Sequence, residues 1–427
     1  MLRRDDAPIV KYVLDRTWCR VSPGSVLAGS PMRMIRVRPA GERVLDLLSS
    51  GAEVEPSALV DRLRDAGAIH PLPETSAAPR RFTAADVTVV TPQLGGVVRD
   101  DGRITVDDGS TPPLLGASVR LAVNRGPGAA RNAGRSLVHT PLIAFVDADV
   151  ETDRSSDGGP RSADGSWLDA LLAHFDDEAV GLVAPRVTGD PRSSLDLGTE
   201  PARIRSGTRV SYVPAAAIIV RARAFDAIGG FDETLRFGED VDMVWRLDQA
   251  GWSCRYEPRS TVWHRPRSTW RARALQQVGY GSSSAPLALR HPTRVAPFDS
   301  DAVSTGVWAS AAAGHPLVAL VLAIGNVVAT TRRLPLPTPI GARLAVRSQI
   351  DVGRQLATGV RRAWWPIVAV AAVTSRRARR VLFVAAAMSP STTVTDVAFG
   401  WGTWVGMIGH RSWRPILPRI ALRISRR

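Results

Sequence analysis

The sequence predicts an α/β fold, with a mostly parallel sheet flanked by helices, a small module before it and a basic helical region after it. Three observations carry that expectation. The run Pro141-Leu142-Ile143-Ala144-Phe145-Val146-Asp147-Ala148-Asp149 is apolar over strand length and ends in two carboxylates, which suits a parallel strand buried on both faces. Strand-like runs at Val87–Pro92, Ile104–Asp108, Val119–Val123 and Val180–Ala184 are interleaved with helical patterns such as Trp167–Phe175. Finally, the composition shifts after residue 300: from Asp301 to Arg427 there are 17 Arg against Asp301, Asp351 and Asp396, a balance of +14.

With 427 residues, 44% of them hydrophobic, the chain can bury one large core or two to three domains, so a disordered protein is excluded. Cys19 and Cys254 are the only cysteines, too few and too far apart for a disulfide framework or a zinc knuckle. Met1 to Asp15 has no apolar core of signal-peptide length, so a cytosolic, reducing compartment is expected. The C-terminal charge favours an anionic surface or ligand, although nucleic acid is not an expected partner. Ala302 to Thr331 has no charged residue but is interrupted by His315-Pro316; Trp364, Trp365, Trp401, Trp404 and Trp413 stand near Arg clusters. That pattern suits either a peripheral surface at the inner face of the cell membrane or a soluble helical lobe.

Residues 1–75 read as a separate module. Val10 to Leu14 and Met32 to Val37 are strand-like, Ala40 to Leu48 is helical, and Leu59, Val60 and Leu63 fall at helical spacing before Gly67, a C-cap. This order resembles a winged-helix-like peptide-recognition module; an N-terminal extension packed on the main domain reads the same way. Pro71, Pro73 and Pro79 mark a linker, taken as 76–84, before a main domain over 85–290 and a helical region over 291–427.

Within the main domain, Val87 to Pro92 is a strand closed by proline. Asp107 and Asp108 end the next strand, where carboxylates accept from ribose hydroxyls or a base N–H; Asp-Asp-Gly-Ser is also ordinary turn chemistry. Gly126, Pro127 and Gly128 open a helix in which Arg131 is near enough to the N-terminus to reach a phosphate. Asp147 and Asp149 follow the central strand, where a divalent cation carrying a diphosphate would sit. Glu239 and Asp240 begin a helix, a position that dipole capping also explains, and His264 ends a short strand.

The order Asp107-Asp108, Asp147-Ala148-Asp149, Glu239-Asp240, His264 resembles glycosyltransferase family 2, inverting nucleotide-sugar transferases with a GT-A fold, over residues 85–290. The resemblance implies donor contacts from Pro92, Asp107, Asp108 and Arg131. It implies Mg or Mn held through Asp147, Asp149 and His264, and a catalytic base at Asp240 with Glu239 beside it. Gly29 to Arg36, Asp65 to Pro71, Ala363 to Pro366 and Ala398 to Gly406 extend the likeness to the glycosyltransferases of mycofactocin biosynthesis. That implies glucose transfer from UDP-glucose to a peptide-derived redox cofactor or its growing glycan. The alternative is a non-catalytic nucleotide-sugar or peptide-binding scaffold. One departure stands out: only Gln93 to Arg103 separate Pro92 from Ile104, too few for the usual crossover helix. One sheet face is therefore expected to lose its cover and the donor pocket part of its wall, which weighs against full activity.

Overall fold

The computed structural model describes residues 11–73, 80–152, 166–189, 195–265 and 269–421. Val10, the first part of the expected linker (76–79) and most of the polar loop before Ser166 lie outside them. The chain forms two compact units, Met1–Pro266 and Arg267–Arg427. The first ends well before residue 290, because the helices that follow pack on the C-terminal helices instead.

In the N-terminal module the chain runs through β1 (Lys11–Leu14), β2 (Cys19–Ser22), β3 (Ser25–Ala28), β4 (Arg33–Arg36), α1 (Pro39–Ser49), α2 (Ala58–Asp65) and β5 (Ile69–Leu72). Three strands, β2-β3-β4, form an antiparallel sheet, and β1 pairs antiparallel with β5. Leu45, Leu48, Val60, Leu63 and Ile69 close its core. Ser57 caps α2 by accepting from Val60 N–H, and Gly67 follows the helix at φ +65°, the left-handed position expected of it.

The main sheet and its helices are built from β6 (Val87–Gln93), β7 (Ile104–Asp108), β8 (Val119–Leu121), α3 (Pro127–Arg135), β9 (Leu142–Val146), β10 (Val150–Glu151), α4 (Asp169–Leu172), β11 (Val180–Thr188), β12 (Ala202–Arg203), β13 (Ala217–Arg221), α5 (Ala222–Ala227), α6 (Glu239–Gln249) and β14 (Ser253–His264). The sheet order is β10-β14-β11-β13-β9-β6-β7-β8, with β12 beside β14. Strands β6, β7, β8, β9, β11 and β14 point one way; β13, inserted between β9 and β11, is antiparallel to both. All five residues of β9 are buried, as the continuous apolar run requires. One face packs on Trp167, Leu168, Leu171 and Phe175, and the other on α3. There Gly134 lets the helix meet Val90 and Val106 with no room for a side chain. Gly134→Ala is therefore expected to cost about 1–3 kcal/mol by overpacking, read as a lower denaturation midpoint.

No helix joins β6 to β7, as the short connection predicts. The sheet nevertheless keeps its cover, contrary to expectation. On the face a crossover helix would occupy, β6 and β7 present Thr91 beside Thr105 and Gln93 beside Asp107, small or polar pairs in register. Both threonines are 1% exposed. Arg103 Nη1 donates to Thr91 Oγ1 at 3.2 Å, Ser118 Oγ accepts from Thr105 N–H, and Gln93 donates to the Gly95 and Val97 carbonyls. A polar sheet face needs hydrogen-bonding loops more than an apolar helix, and these residues supply them to Thr91 and Gln93, while the Thr105 hydroxyl is buried without a hydrogen-bond partner among the described residues.

Unit two is mainly helical: α7 (Trp270–Ser282), α8 (Ser284–Arg290), β15 (Asp299–Asp301), α9 (Ala302–Ala312), α10 (Pro316–Arg333), α11 (Thr338–Gly359), α12 (Trp365–Ala372), α13 (Arg376–Ala387), α14 (Thr393–Gly409) and β16 (Arg419–Ala421). Gly281, Gly402 and Gly406 let α7 and α14 lie backbone against backbone. Of the tryptophans expected at an interface, Trp364 and Trp404 donate their indole N–H groups to the Ile416 and Ala363 carbonyls within the unit. Only Trp401 and Trp413 are largely exposed.

Candidate active site

The carboxyl ends of β6, β7 and β9 open on one edge, where ligands bind in open α/β sheets. Antiparallel β13 brings its start to the same place, so Asp147 N–H donates to the Ala216 carbonyl at 2.9 Å. The start of α6 is anchored there as well. Asn132 on α3 both donates to the Phe231 carbonyl and accepts from Phe231 N–H, at 2.9 Å each, fixing the turn ahead of α6.

Arg131 joins the two acidic motifs. Its guanidinium reaches Asp147 Oδ1 at 2.6 Å, Glu239 Oε1 at 3.0 Å and the Ala215 carbonyl at 3.3 Å, and it stacks over Phe231. At 2% exposure Arg131 is closed off from a phosphate, whereas its place near the helix N-terminus predicts that it reaches one. It serves instead to fix the two carboxylates, because a buried cation is held only where anions and acceptors surround it.

The acids titrate accordingly. Burial, reinforced by the neighbouring Asp240 charge, lifts Glu239 to about 7 despite Arg131. Burial also raises Asp240 and Asp147, with Arg131 opposing in both. Glu239 is engaged by Arg131, whereas Asp240 is half-buried and one of its carboxylate oxygens accepts from Val241 N–H at 2.8 Å. Of the pair, Asp240 is the carboxylate better placed to take a proton.

Asp107 and Asp108 are buried structural acids. Asp107 accepts from Ser110 and Leu114 N–H at 2.8 and 3.1 Å; burial works against its charge, but these bonds and Arg120 hold it below the ordinary carboxylate range. Asp108 accepts from Arg125 and Gly126 N–H at 2.7 and 2.9 Å, shaping the turn into α3. A nucleoside would thus meet the loops they hold before the carboxylates themselves. Pro92 lies inside β6 rather than closing it; β9 pairs only as far as Val90, so Pro92 faces Val106 alone, a position proline tolerates.

Asp149 and His264 come together through the β10–β14 ladder, in which Val150 is opposite His264. Asp149 Oδ2 lies 3.4 Å from His264 Nε2, and Arg265 N–H donates to the Asp149 carbonyl. Asp147 faces Arg131 instead of completing a triad, and no cluster of three His, Cys, Asp or Glu groups fit for a metal occurs among the described residues. One accessible carboxylate and one imidazole fit Mg or Mn bound together with substrate phosphates, a mode that needs only one or two protein carboxylates. Sequence reasoning missed the Arg131 clamp, the Asn132 staple and Arg99, whose Nη1 lies 3.4 Å from the Val150 carbonyl.

This fold and site define a glycosyltransferase of the GT-A class. A pre-mycofactocin glycosyltransferase of Mycobacterium tuberculosis is 34% identical over 459 aligned positions, covering 93% of this chain and 94% of that protein. The chain belongs to the pre-mycofactocin glycosyltransferase family. A Mycobacterium tuberculosis N-acetylglucosaminyl-diphospho-decaprenol L-rhamnosyltransferase is 29% identical, covering 47% of this chain and 61% of that one. Among solved structures, a mannosyltransferase from Pyrobaculum calidifontis in complex with GDP-Man and Mn2+ aligns at TM-score 0.41 and 15% identity, covering 79% of this chain and 89% of that one. No protein-family profile matches the chain.

Proposed function

We propose that the chain transfers glucose from UDP-glucose, with inversion, to the peptide-derived precursor of mycofactocin or to its growing glycan. The observation that carries this reading is the Arg131 bridge, which fixes Asp147 in the motif after β9 and Glu239, next to Asp240, at the head of α6. Asp149 and His264 hold Mg or Mn. That cation, when bound, offsets the charge that grows on the departing UDP. Arg131 fixes the Asp147 carboxylate next to that site and neutralises Glu239, so that Asp240 is the carboxylate left to act. Asp240 accepts the acceptor hydroxyl's proton as its oxygen attacks the anomeric carbon from the face opposite UDP, a single displacement. The loops held by Asp107 and Asp108 floor the nucleoside side, and the β1–β5 module binds the peptide part of the acceptor. The work belongs in the cytoplasm, with peripheral contact at the inner face of the membrane.

Asp149→Ala tests the metal assignment. It should weaken UDP binding by at least about tenfold in Mn or Mg and leave the metal-free affinity unchanged, read by titration calorimetry; His264→Ala should follow to a smaller degree. Equal loss with and without metal would remove Asp149 from the cation site.

A further inference from the structure

The second unit carries apolar surface that its own packing does not use. Helix α10 is long and apolar enough to be considered for a membrane span, yet only 11% of that stretch is buried. Leu317, on its first turn, is 76% exposed, and Val321 lies one turn on, also exposed. Val373, just past the end of α12, is 78% exposed, with Val370 one turn before it. These residues share one end of the unit. Arg379 on α13 donates to the Ala372 carbonyl at 2.8 Å, so α13 begins where α12 stops. The turn between α9 and α10 lies there too, since a side chain at Gly314 would meet Arg377 Nε at 3.5 Å.

The same end is strongly cationic. Arg376, Arg377, Arg379 and Arg380 are all exposed, and none of them forms an ion pair among the described residues. The acids of the unit are engaged elsewhere: Asp299 with Arg419, Asp301 as the cap of α9, Asp351 with Arg354, and Asp396 with Arg361 and Arg362. Apolar tips ringed by arginine match a bilayer whose headgroups are negative and whose acyl region begins just below them. A second copy of the chain matches poorly, because an isologous contact would set the arginine cluster against itself.

We propose that this end, the first turn of α10 with the α12–α13 turn, is a monotopic docking surface for an anionic phospholipid bilayer. The proposal rests on the peripheral location inferred above and is independent of the catalytic assignments. A span is disfavoured by geometry. The 18 residues of α10 reach about 27 Å, near the lower limit for a span, and the last two are Arg332 and Arg333. Helix α10 also packs along α11, which carries exposed Arg343, Arg347 and Arg354; drawing α10 across would carry those charges into hydrocarbon. The helix therefore rests on the surface, with Leu317 and Val373 dipping below the headgroups.

The test is co-sedimentation of the full chain with vesicles of phosphatidylcholine alone, or of phosphatidylcholine with about one-third phosphatidylglycerol. Binding is expected only to the mixed vesicles and should reverse at roughly 0.5 M salt, where screening is short-ranged. Replacing Arg376, Arg377 and Arg380 by Gln should weaken it at least about a hundredfold. The double variant Leu317→Glu with Val373→Glu should abolish binding while circular dichroism and UDP affinity stay unchanged, since both side chains already face water. Loss of vesicle binding with intact UDP affinity separates this surface from the transferase site. The proposal is overturned by equal binding to both vesicle types, by no binding to either, or by association released only by detergent. It is also overturned if light scattering finds a dimer that the double variant dissolves.

Discussion

Asp240→Asn is expected to lower kcat by about 10²–10⁴-fold with metal-dependent UDP binding nearly intact, because the missing interaction is needed as the acceptor loses its proton. The substitution keeps size and hydrogen-bonding shape, so the start of α6 should hold. The pH profile gives an independent reading. Burial raises Asp240, and Glu239 lies at about 7, so the two carboxylates titrate as a coupled pair above the ordinary carboxylate range. A base works when deprotonated; kcat should therefore fall on the acid side at a pH above the ordinary carboxylate range, and in Asp240→Asn that limb should disappear. A normal kcat in Asp240→Asn would move the base elsewhere, and a loss of UDP affinity equal to the loss of turnover would make Asp240 a donor-site residue.

Arg131→Met should be the most destabilising single change in the catalytic half. It leaves half-buried Asp147 and buried Glu239 without their shared cation, and breaking a buried pair costs about 3–5 kcal/mol, an upper bound here because Asp147 is partly open to water. The expected readout is a large fall in the denaturation midpoint at pH 8 that shrinks at pH 5.5. The sign follows from the acids: without Arg131 their folded-state pKa values rise further above the unfolded ones, so the penalty is greatest where both are ionised in the unfolded chain and declines as protonation neutralises them. The double variant Arg131→Met with Glu239→Gln should recover part of the loss. An Arg131→Met protein as stable as the parent at both pH values would show that the bridge holds nothing together.

How far the sequence reveals this molecule depends on the distance over which each interaction acts. The buried strand Leu142–Val146 is legible because five consecutive apolar residues need no partner to be recognised. The missing crossover helix is equally plain, being a matter of chain length. Its consequence is not: Thr91 and Thr105 look unremarkable until the parallel register sets them side by side beneath Arg103. The glycosyltransferase assignment rested on the order of acidic motifs, and the relatives bear it out. What each acid does was less legible. Asp-Asp-Gly-Ser serves a turn or a ligand equally well, and only the backbone donors around Asp107 and Asp108 show where their oxygens are committed. The Arg131 bridge is hidden in the sequence because the local cue, a cation near a helix N-terminus, is the same for a phosphate ligand, while its partner Glu239 is 108 residues away. Antiparallel β13 is hidden for a simpler reason: Ala217–Arg221 reads alike in either direction.

The most direct test of the whole reading is mass spectrometry of the peptide-derived acceptor after incubation with the full chain, UDP-glucose and Mn. The account predicts addition of hexose units with stoichiometric release of UDP, abolished by chelation and by Asp240→Asn. An acceptor left unmodified while the chain still binds UDP in a metal-dependent way would contradict it and leave a nucleotide-sugar-binding scaffold.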